Sequence, residues 1–473
     1  MFSRIWARAL AIASAALLLS ACKTFSPDGG MSTVAAITGQ GLNKSVVLIS
    51  SPEEAAYAQD RVARLLKAPL SADAAVQIAL LNNRGLQAAY NELGIAEAVM
   101  VASSRPPAPS FSISNVSTSL ELDIERQIVA SILALATQPA RSRIAADRFA
   151  QAQLQAALET LRVAAETRRA YYRAVAAREI VAALTGFKTT AETSAELAKQ
   201  LGETGALNKL DQARQQVFDA DVATELAAAR QQATIESERL VRLMGLWSDD
   251  TDFKLPSALP KLPGKPQTLP KIEQDAMDRR VDLQIARIEV EALAKSYGLT
   301  RETRFINVLD AAGISKTQKD KKSGEPHSGG GGFDVAFQVP IFDFGRPRVT
   351  EAEQQYMQAV NLLAEAAVNA RSEAREAYRT YRSAYEISGH YQGEVLPLRR
   401  TAFEQAQLQF NSMLIDVFAL VTESRQLITA TANGIEAKRD FWLANTDLSV
   451  AVLGGGSIGA ERASFINAAV ASQ

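Results

Sequence analysis

Apolar residues after Pro347 recur in steps of three and four: Val349, Ala352, Tyr356, Ala359, Leu363, Ala366 and Ala370. That spacing keeps one side of an α-helix apolar over consecutive heptads and predicts a coiled-coil seam. Ala374, Ala377, Tyr381 and Ala384 continue it after a four-residue step, which locally unwinds a supercoil. Glu351, Glu353, Arg371, Glu373, Arg375 and Glu376 fall off the seam. No proline follows until after Leu396, so the helix would reach roughly 75 Å at 1.5 Å per residue. Alanine lets helices approach closely but buries little area, so such a seam needs further helices, from the same chain or from identical neighbours. A second helical pattern is predicted from about Pro139 to Gln200.

The two patterns have similar surroundings. Arg168-Arg169-Ala170-Tyr171-Tyr172 matches the region of Glu376-Ala377-Tyr378, and each is followed by more helix, a break and another helix. The breaks are Glu203-Thr204-Gly205-Ala206-Leu207 and Phe410-Asn411-Ser412-Met413. Asn82-Asn83-Arg84-Gly85-Leu86 parallels Arg279-Arg280-Val281-Asp282-Leu283. A duplication of about 200 residues is the economical reading. The proline-rich stretch 255–270 reads as the linker between the halves.

Between the helices the period changes to two. From Phe333 to Phe342, Phe333, Val335, Phe337, Val339 and Ile341 face one side, and Asp334, Ala336 and Gln338 the other. This suits a membrane-spanning β-strand with an apolar lipid face and a polar lumen face. Residues 304–313 supply a less regular partner, and 314–332, ending in Gly329 to Gly332, reads as the loop between them. In the first half a strand is predicted from Phe111 to about Leu122, with a partner somewhere in 125–138, a stretch that reads equally as strand or helix. Each segment alone would equally suit an edge hairpin of a soluble domain. If they enter a bilayer, two hairpins give four strands, too few to close a barrel with a lumen, and no sheet edge stays unpaired in lipid. Three chains would give twelve strands.

The amino terminus adds a destination. Arg4 and Arg8 precede the apolar stretch Ala9 to Leu19, and Leu19-Ser20-Ala21-Cys22 ends it, as in a secretory signal. Cys22 is the only cysteine, and its register resembles a bacterial lipobox, in which the peptide is cut before the cysteine and the thiol is acylated. Covalent lipid on Cys22 is the one modification expected, and no other cofactor is. With two histidines, His327 and His390, far apart in sequence, a His/Cys metal site within one chain is not expected. Lys plus Arg is 51 and Asp plus Glu 52, a formal charge of -1, which becomes -3 once Arg4 and Arg8 leave with residues 1–21. That balance gives no reason to expect nucleic acid binding.

On these residues the stretch 67–453 resembles the TolC-like outer-membrane efflux channel family, in particular its lipoprotein branch. Pro69-Leu70-Ser71 with Ala74 to Val76 and Ala79 to Asn83 looks like the family's first helix. Val339-Pro340-Ile341-Phe342-Asp343-Phe344-Gly345-Arg346 is similar to its strand-to-helix motif. Gly205 to Asp211 and Met413 to Phe418 look like its two periplasmic tips. The first half departs from the pattern, with Ala134 to Arg141 where a second motif would stand. The second tip has Asn411-Ser412-Met413 where the family commonly has a glycine. The resemblance implies a mainly α fold with a membrane β-barrel: long coiled-coil helices forming a periplasmic α-barrel, plus two β-hairpins per chain, in a trimeric 12-stranded barrel. It implies a passive homotrimeric exit duct in outer-membrane lipid, working with a periplasmic adaptor protein and an inner-membrane pump. It places adaptor contacts at Gly205 and Met413 and pore-gating carboxylates at Asp416 and Asp211. Rings of such carboxylates would select cations or hold a pore shut; as helix caps they need no such function.

The chain is thus divided into a signal peptide (1–21), a lipid-anchored segment (22–66), a first repeat (67–254), the linker (255–270), a second repeat (271–453) and a flexible tail (454–473). No H-E-x-x-H and no P-loop appears, and no catalytic residue is assigned. Two other readings share the long helices: a periplasmic adaptor lipoprotein, which should have one helical hairpin inside soluble β-domains, and a structural coiled-coil lipoprotein, which should lack the alternating strand.

Overall fold

The computed structural model describes residues 24–119, 121–320 and 326–454. The signal peptide, Cys22 and the tail beyond Gly454 lie outside the described residues. Two compact units are formed. Among the described residues, one gathers 24–33, Asn91–Gln155 and Leu283–Ala366; the other gathers Val34–Tyr90, Ala156–Asp282 and 367–454.

The first unit holds an antiparallel sheet of four strands in chain order: β1 (Ser110–Ser117), β2 (Glu121–Ser131), β3 (Val308–Asp320) and β4 (Pro326–Gln338). Leu122 therefore belongs to the second strand, not the first. Thr118 makes the turn, its N–H donating to the Glu121 carbonyl at 2.9 Å. The segment 314–332, expected as a loop, is mostly ladder: Ile314 to Thr317 pair with Gly332 to Gly329. Glycines and alternating polar residues carry no hydrophobic period, so the pattern hid these strands. At the other end β4 stops at Gln338, because Pro340 has no N–H to continue the ladder.

The two strand-to-helix junctions differ. β2 passes directly into the helix α5 (Ile132–Glu203), which starts before Pro139 and keeps that proline inside it. β4 reaches α9 (Arg346–His390) through a built turn. The Phe344 N–H donates to the Pro340 carbonyl at 2.8 Å, and the Gly345 N–H to Asp343 Oδ1 at 2.8 Å. Phe344 and Gly345 are both left-handed, with φ of 52° and 70°. A Cβ on Gly345 would stand 2.3 Å from the Arg304 carbonyl oxygen, so only glycine fits. In the same unit α5 is tied to α8 (Val281–Glu302) by Arg148 with Glu289 and by Lys295 with Asp147.

The second unit begins with α1 (Met31–Leu42), most of which it holds, and α2 (Pro52–Leu66), started by a capping box of Ser51 and Glu54. The extended chain between them is held by two buried amides. Gln77 accepts from the Ser45 N–H and donates to the Ser45 carbonyl; Gln87 does the same for Ile49 N–H and Val47 C=O. Next come α3 (Ala72–Asn82) and α4 (Arg84–Ser103), broken at Asn83, and then α6 (Lys209–Met244). The break has a purpose: Asn82 donates to the Met244 and Gly245 carbonyls and Asn83 to that of Leu243, capping the end of α6. The second half repeats the device. α7 (Ile272–Arg279) and α8 break at Arg280, whose guanidinium reaches the Ala451 carbonyl at the end of α11 (Val417–Leu453). Burial opposes the Arg280 charge, yet Asp282 and Glu373 at 2.6 Å hold it protonated above its ordinary range.

The linker is docked rather than loose. Leu259 is buried in one core with Leu70, Tyr171, Leu240 and Met244, while Leu262 and Leu269 pack on a second with Tyr381, Phe441 and Leu448. Trp442 and Tyr385 donate to the Pro260 and Pro263 carbonyls, and the Tyr381 hydroxyl accepts from the Gln267 N–H. Along the predicted seam, Ala359, Ala370, Ala374 and Tyr381 are buried. After α9, a π-turn at Tyr391–Val395 leads into α10 (Leu396–Asn411), so the helical path outlasts Leu396.

Gly345→Ala should destabilise the protein by more than about 2 kcal/mol, through left-handed strain and the clash with Arg304. Gly330→Ala, with open space around its Cβ, should change stability little. Thermal unfolding of the two variants checks this; equal effects would contradict the assigned junction geometry.

Candidate functional site

Both helix tips belong to the second unit. The first joins α5 to α6 and the second α10 to α11, and the same construction serves both. Gly205, with φ 79°, donates its N–H to the Gly202 carbonyl, and Ala206 donates to that of Leu201 at 2.9 Å. Met413, with φ 57°, donates to the Phe410 carbonyl, and Leu414 to that of Gln409 at 2.8 Å. Each is a left-handed helix stop. Met413 fills the second with a side chain that is 94% exposed, on a backbone that favours glycine.

The two aspartates are not equivalent. Asp416 is the N-cap of α11, with Oδ1 accepting from the Ala419 N–H at 2.9 Å, and it is exposed. At the first tip the cap is Asn208, and Asp211 stands three residues on. The Asp211 carboxylate accepts from Asn208 Nδ2 at 2.6 Å and from Arg214 Nη1 at 3.0 Å. Its charge is answered within its own tip, whereas Asp416 is answered only by backbone.

Sequence reasoning missed a reciprocal link between the tips. Arg214 of the first hairpin lies over the Phe418 ring of the second, 5.4 Å from the centroid. Arg425 of the second lies over Phe218 of the first at 5.8 Å and pairs with Asp221 at 2.5 Å. Each exposed cation–π contact is worth about 0.5–1 kcal/mol. Beneath them Leu184, Phe218, Val222 and Leu226 pack with Val417, Val421 and Ile428. The only signal in the sequence was an arginine four residues from Phe218 and another seven from Phe418.

The sheet of the first unit is the other candidate surface. Its register puts Phe111, Ile128, Gly313 and Phe333 in one row, Ala130, Ala311 and Val335 in the next, then Leu309 and Phe337, all on one face. The opposite face carries Ser110, Ser112, Ser114, Gln127, Asp310, Asp334 and Gln338, with Val116, Val129, Ala312 and Ile314 interspersed. Phe111, Ile113, Phe333 and Phe337 are 69–87% exposed. Among the described residues β1 pairs only with β2 and β4 only with β3, leaving two open edges.

Residues 272–454 match the family model of the outer membrane efflux proteins. No curated protein matches the chain by sequence. Among solved structures, the chain resembles the transmembrane channel CusC, with TM-score 0.68 and 17% identity over 84% of this chain and 92% of that one. It resembles the Campylobacter jejuni CmeC outer membrane channel with TM-score 0.67 and 16% identity over 84% and 86%. It resembles the open state of the Neisseria gonorrhoeae MtrE outer membrane channel with TM-score 0.65 and 15% identity over 83% and 89%. The chain has the fold of these outer membrane channels. The spelling G-x-S-x-G occurs at 455–459, outside the described residues, and follows the helix α11 rather than the strand a nucleophile elbow requires.

Because Asp416 caps a helix, Asp416→Ala removes a hydrogen bond together with the charge. It should cost about 1 kcal/mol of stability, whereas Asp416→Asn keeps an equally good cap and should cost little. Denaturation of both variants checks the assignment; a stable alanine variant would deny the cap.

Proposed function

We propose that this chain is the exit duct of an outer-membrane efflux or export system, a passive conduit built from three copies. The observation that carries the proposal is the sheet: one face apolar and exposed, the other polar, and both edges open. A bilayer tolerates no unpaired edge, and four strands cannot surround a lumen. Pairing β1 of one copy with β4 of the next repeats around a threefold axis and closes at twelve strands. The apolar face then meets lipid and the polar face lines the passage. An adaptor with a single helical hairpin would have no use for two hairpins and two long helices, and a purely structural coiled coil none for the sheet.

In this reading the tips point into the periplasm. Gly205 and the exposed Met413 offer the contacts for a periplasmic adaptor, through which an inner-membrane pump delivers cargo. Three copies of Asp416 around the axis narrow the mouth and attract cations. Asp211, already bound to Asn208 and Arg214, contributes less. Lipid on Cys22 supplies a second hold on the outer membrane.

Two measurements test the proposal. Phe337→Arg puts a charge on the lipid face and should cost roughly 2–4 kcal/mol near the bilayer midplane. Gln338→Arg, on the lumen face, should be far milder, as read from the detergent-resistant trimer on gels. Equal damage from both would argue for a soluble sheet. Intact-mass analysis of the mature protein should show residues 1–21 absent and acyl mass on Cys22; an unmodified thiol there would end the lipid assignment.

A further inference from the structure

The register sorts charge as well as hydrophobicity. β2, β3 and β4 carry the carboxylates Glu121, Asp123, Glu125, Asp310, Asp320 and Asp334 among their described residues, and all of them lie on the polar face. Lys316 is on that face too, 3.2 Å from Glu125. The apolar face has no acid. It has two cations, Arg126 and Lys319, and both lie on the hairpin-end side of the row Phe111, Ile128, Gly313 and Phe333. Their companions on that face are small or hydrogen-bonding: Ser315 opposite Arg126, Asn115 and Thr317 on either side of Ile124, and Ser117 opposite Leu122. Arg126 is exposed, and its guanidinium makes one long bond, 3.5 Å, to Thr317 Oγ1. The Lys319 ammonium has no partner among the described residues.

A cation turned toward hydrocarbon is costly unless it reaches the interface or meets an anion. Two cations, with no carboxylate on their own face to answer them, sit just past the apolar rows, where the hairpins lead away from the helices. Arg126 and Lys319 stand four residues apart along the ladder, about 13 Å at the rise of a β-strand. Hydroxyl and amide groups between them add neutral hydrogen bonds.

We propose that Arg126 and Lys319, with Ser315 and Thr317 between them, bind the phosphates of an anionic glycolipid in the leaflet at the hairpin ends of the sheet. The guanidinium takes one phosphate through paired N–H donors, and Lys319 takes a second as a point charge. A headgroup with two phosphates on one disaccharide spans both. The acyl chains then run down the apolar rows toward Phe333, Val335 and Phe337. The proposal rests on the reading of this sheet as a membrane wall. It adds that the wall is made for a charged leaflet on one side, and that its carboxylates are confined to the lumen so as not to oppose that lipid.

The test uses the full mature protein, assembled in neutral detergent and titrated with lipid A under native mass spectrometry. Monophosphoryl lipid A, fully dephosphorylated lipid A and inorganic phosphate serve as comparison probes. Bisphosphorylated lipid A should bind at least 10-fold more tightly than the dephosphorylated form, and the double variant Arg126→Gln, Lys319→Gln should lose that preference. Lys316→Gln, on the lumen face, should keep it. An unchanged preference in the double variant, an equal loss in Lys316→Gln, or binding of inorganic phosphate as tight as lipid A would overturn the proposal. Insertion into phosphatidylcholine vesicles, read as protease protection of the strands, is measured on the same proteins. If the wild type fails to insert, the membrane reading itself falls; if all insert and only the lipid preference is absent, the site alone is refuted.

Discussion

A backbone hydrogen bond left unmade in hydrocarbon costs several kcal/mol, and the sheet has two edges that would face that cost in a bilayer. β1 and β4 are each paired on one side only. Their exposed faces rule out the usual cover of a soluble sheet, since neither face is packed under a helix: β1 is exposed along its whole length. A single copy thus keeps both edges of the sheet open, and other features fit that openness. The strands run to 13 residues, enough to cross a bilayer at a tilt. The seam of α9 has alanine at positions where a lone pair of helices would want leucine, and such a seam gains from neighbours that approach closely.

Attachment of strands to helices poses a second constraint, which the two halves solve differently. In the first, Ser131 ends the strand and Ile132 begins the helix, with Pro139 kept inside it. In the second, seven residues make the switch, and Gly345 passes so close to Arg304 that a side chain is excluded. Duplicated elements need not share a local solution when the flanking elements are the same. The caps show the converse. Asn82 and Asn83 in one half and Arg280 in the other do the same work, satisfying the last carbonyls of the returning helix, with unrelated side chains.

What was legible in the sequence follows from which physical signal each element leaves. The coiled-coil seam after Pro347 and the alternation from Phe333 are periodic and mark real elements, but the strand expected to reach Phe342 ends at Gln338. The glycines at 329–332 leave no periodic trace, so the pattern predicts a loop where β4 runs, and it carries the first strand to Leu122, which lies in β2. Both tips were located by their breaks in helical pattern. Their inner chemistry was not, because the bonds of Asp211 to Asn208 and Arg214, and the crossing of Arg214 and Arg425 over each other's phenylalanines, depend on how hairpins far apart in sequence pack.

The tips then separate two kinds of acidic residue that look alike in sequence. A carboxylate three residues into a helix, as Asp211 is, can be neutralised by a basic residue one turn on, and Arg214 does this while also covering Phe418. A carboxylate at the cap, as Asp416 is, has its oxygen committed to a backbone N–H and its charge to the helix N-terminus. The first arrangement binds one tip to the other and gives up its field. The second keeps the field and leaves it exposed to solvent. Cohesion between the two tips thus rests on Arg214 and Arg425, and the exposed charge on Asp416.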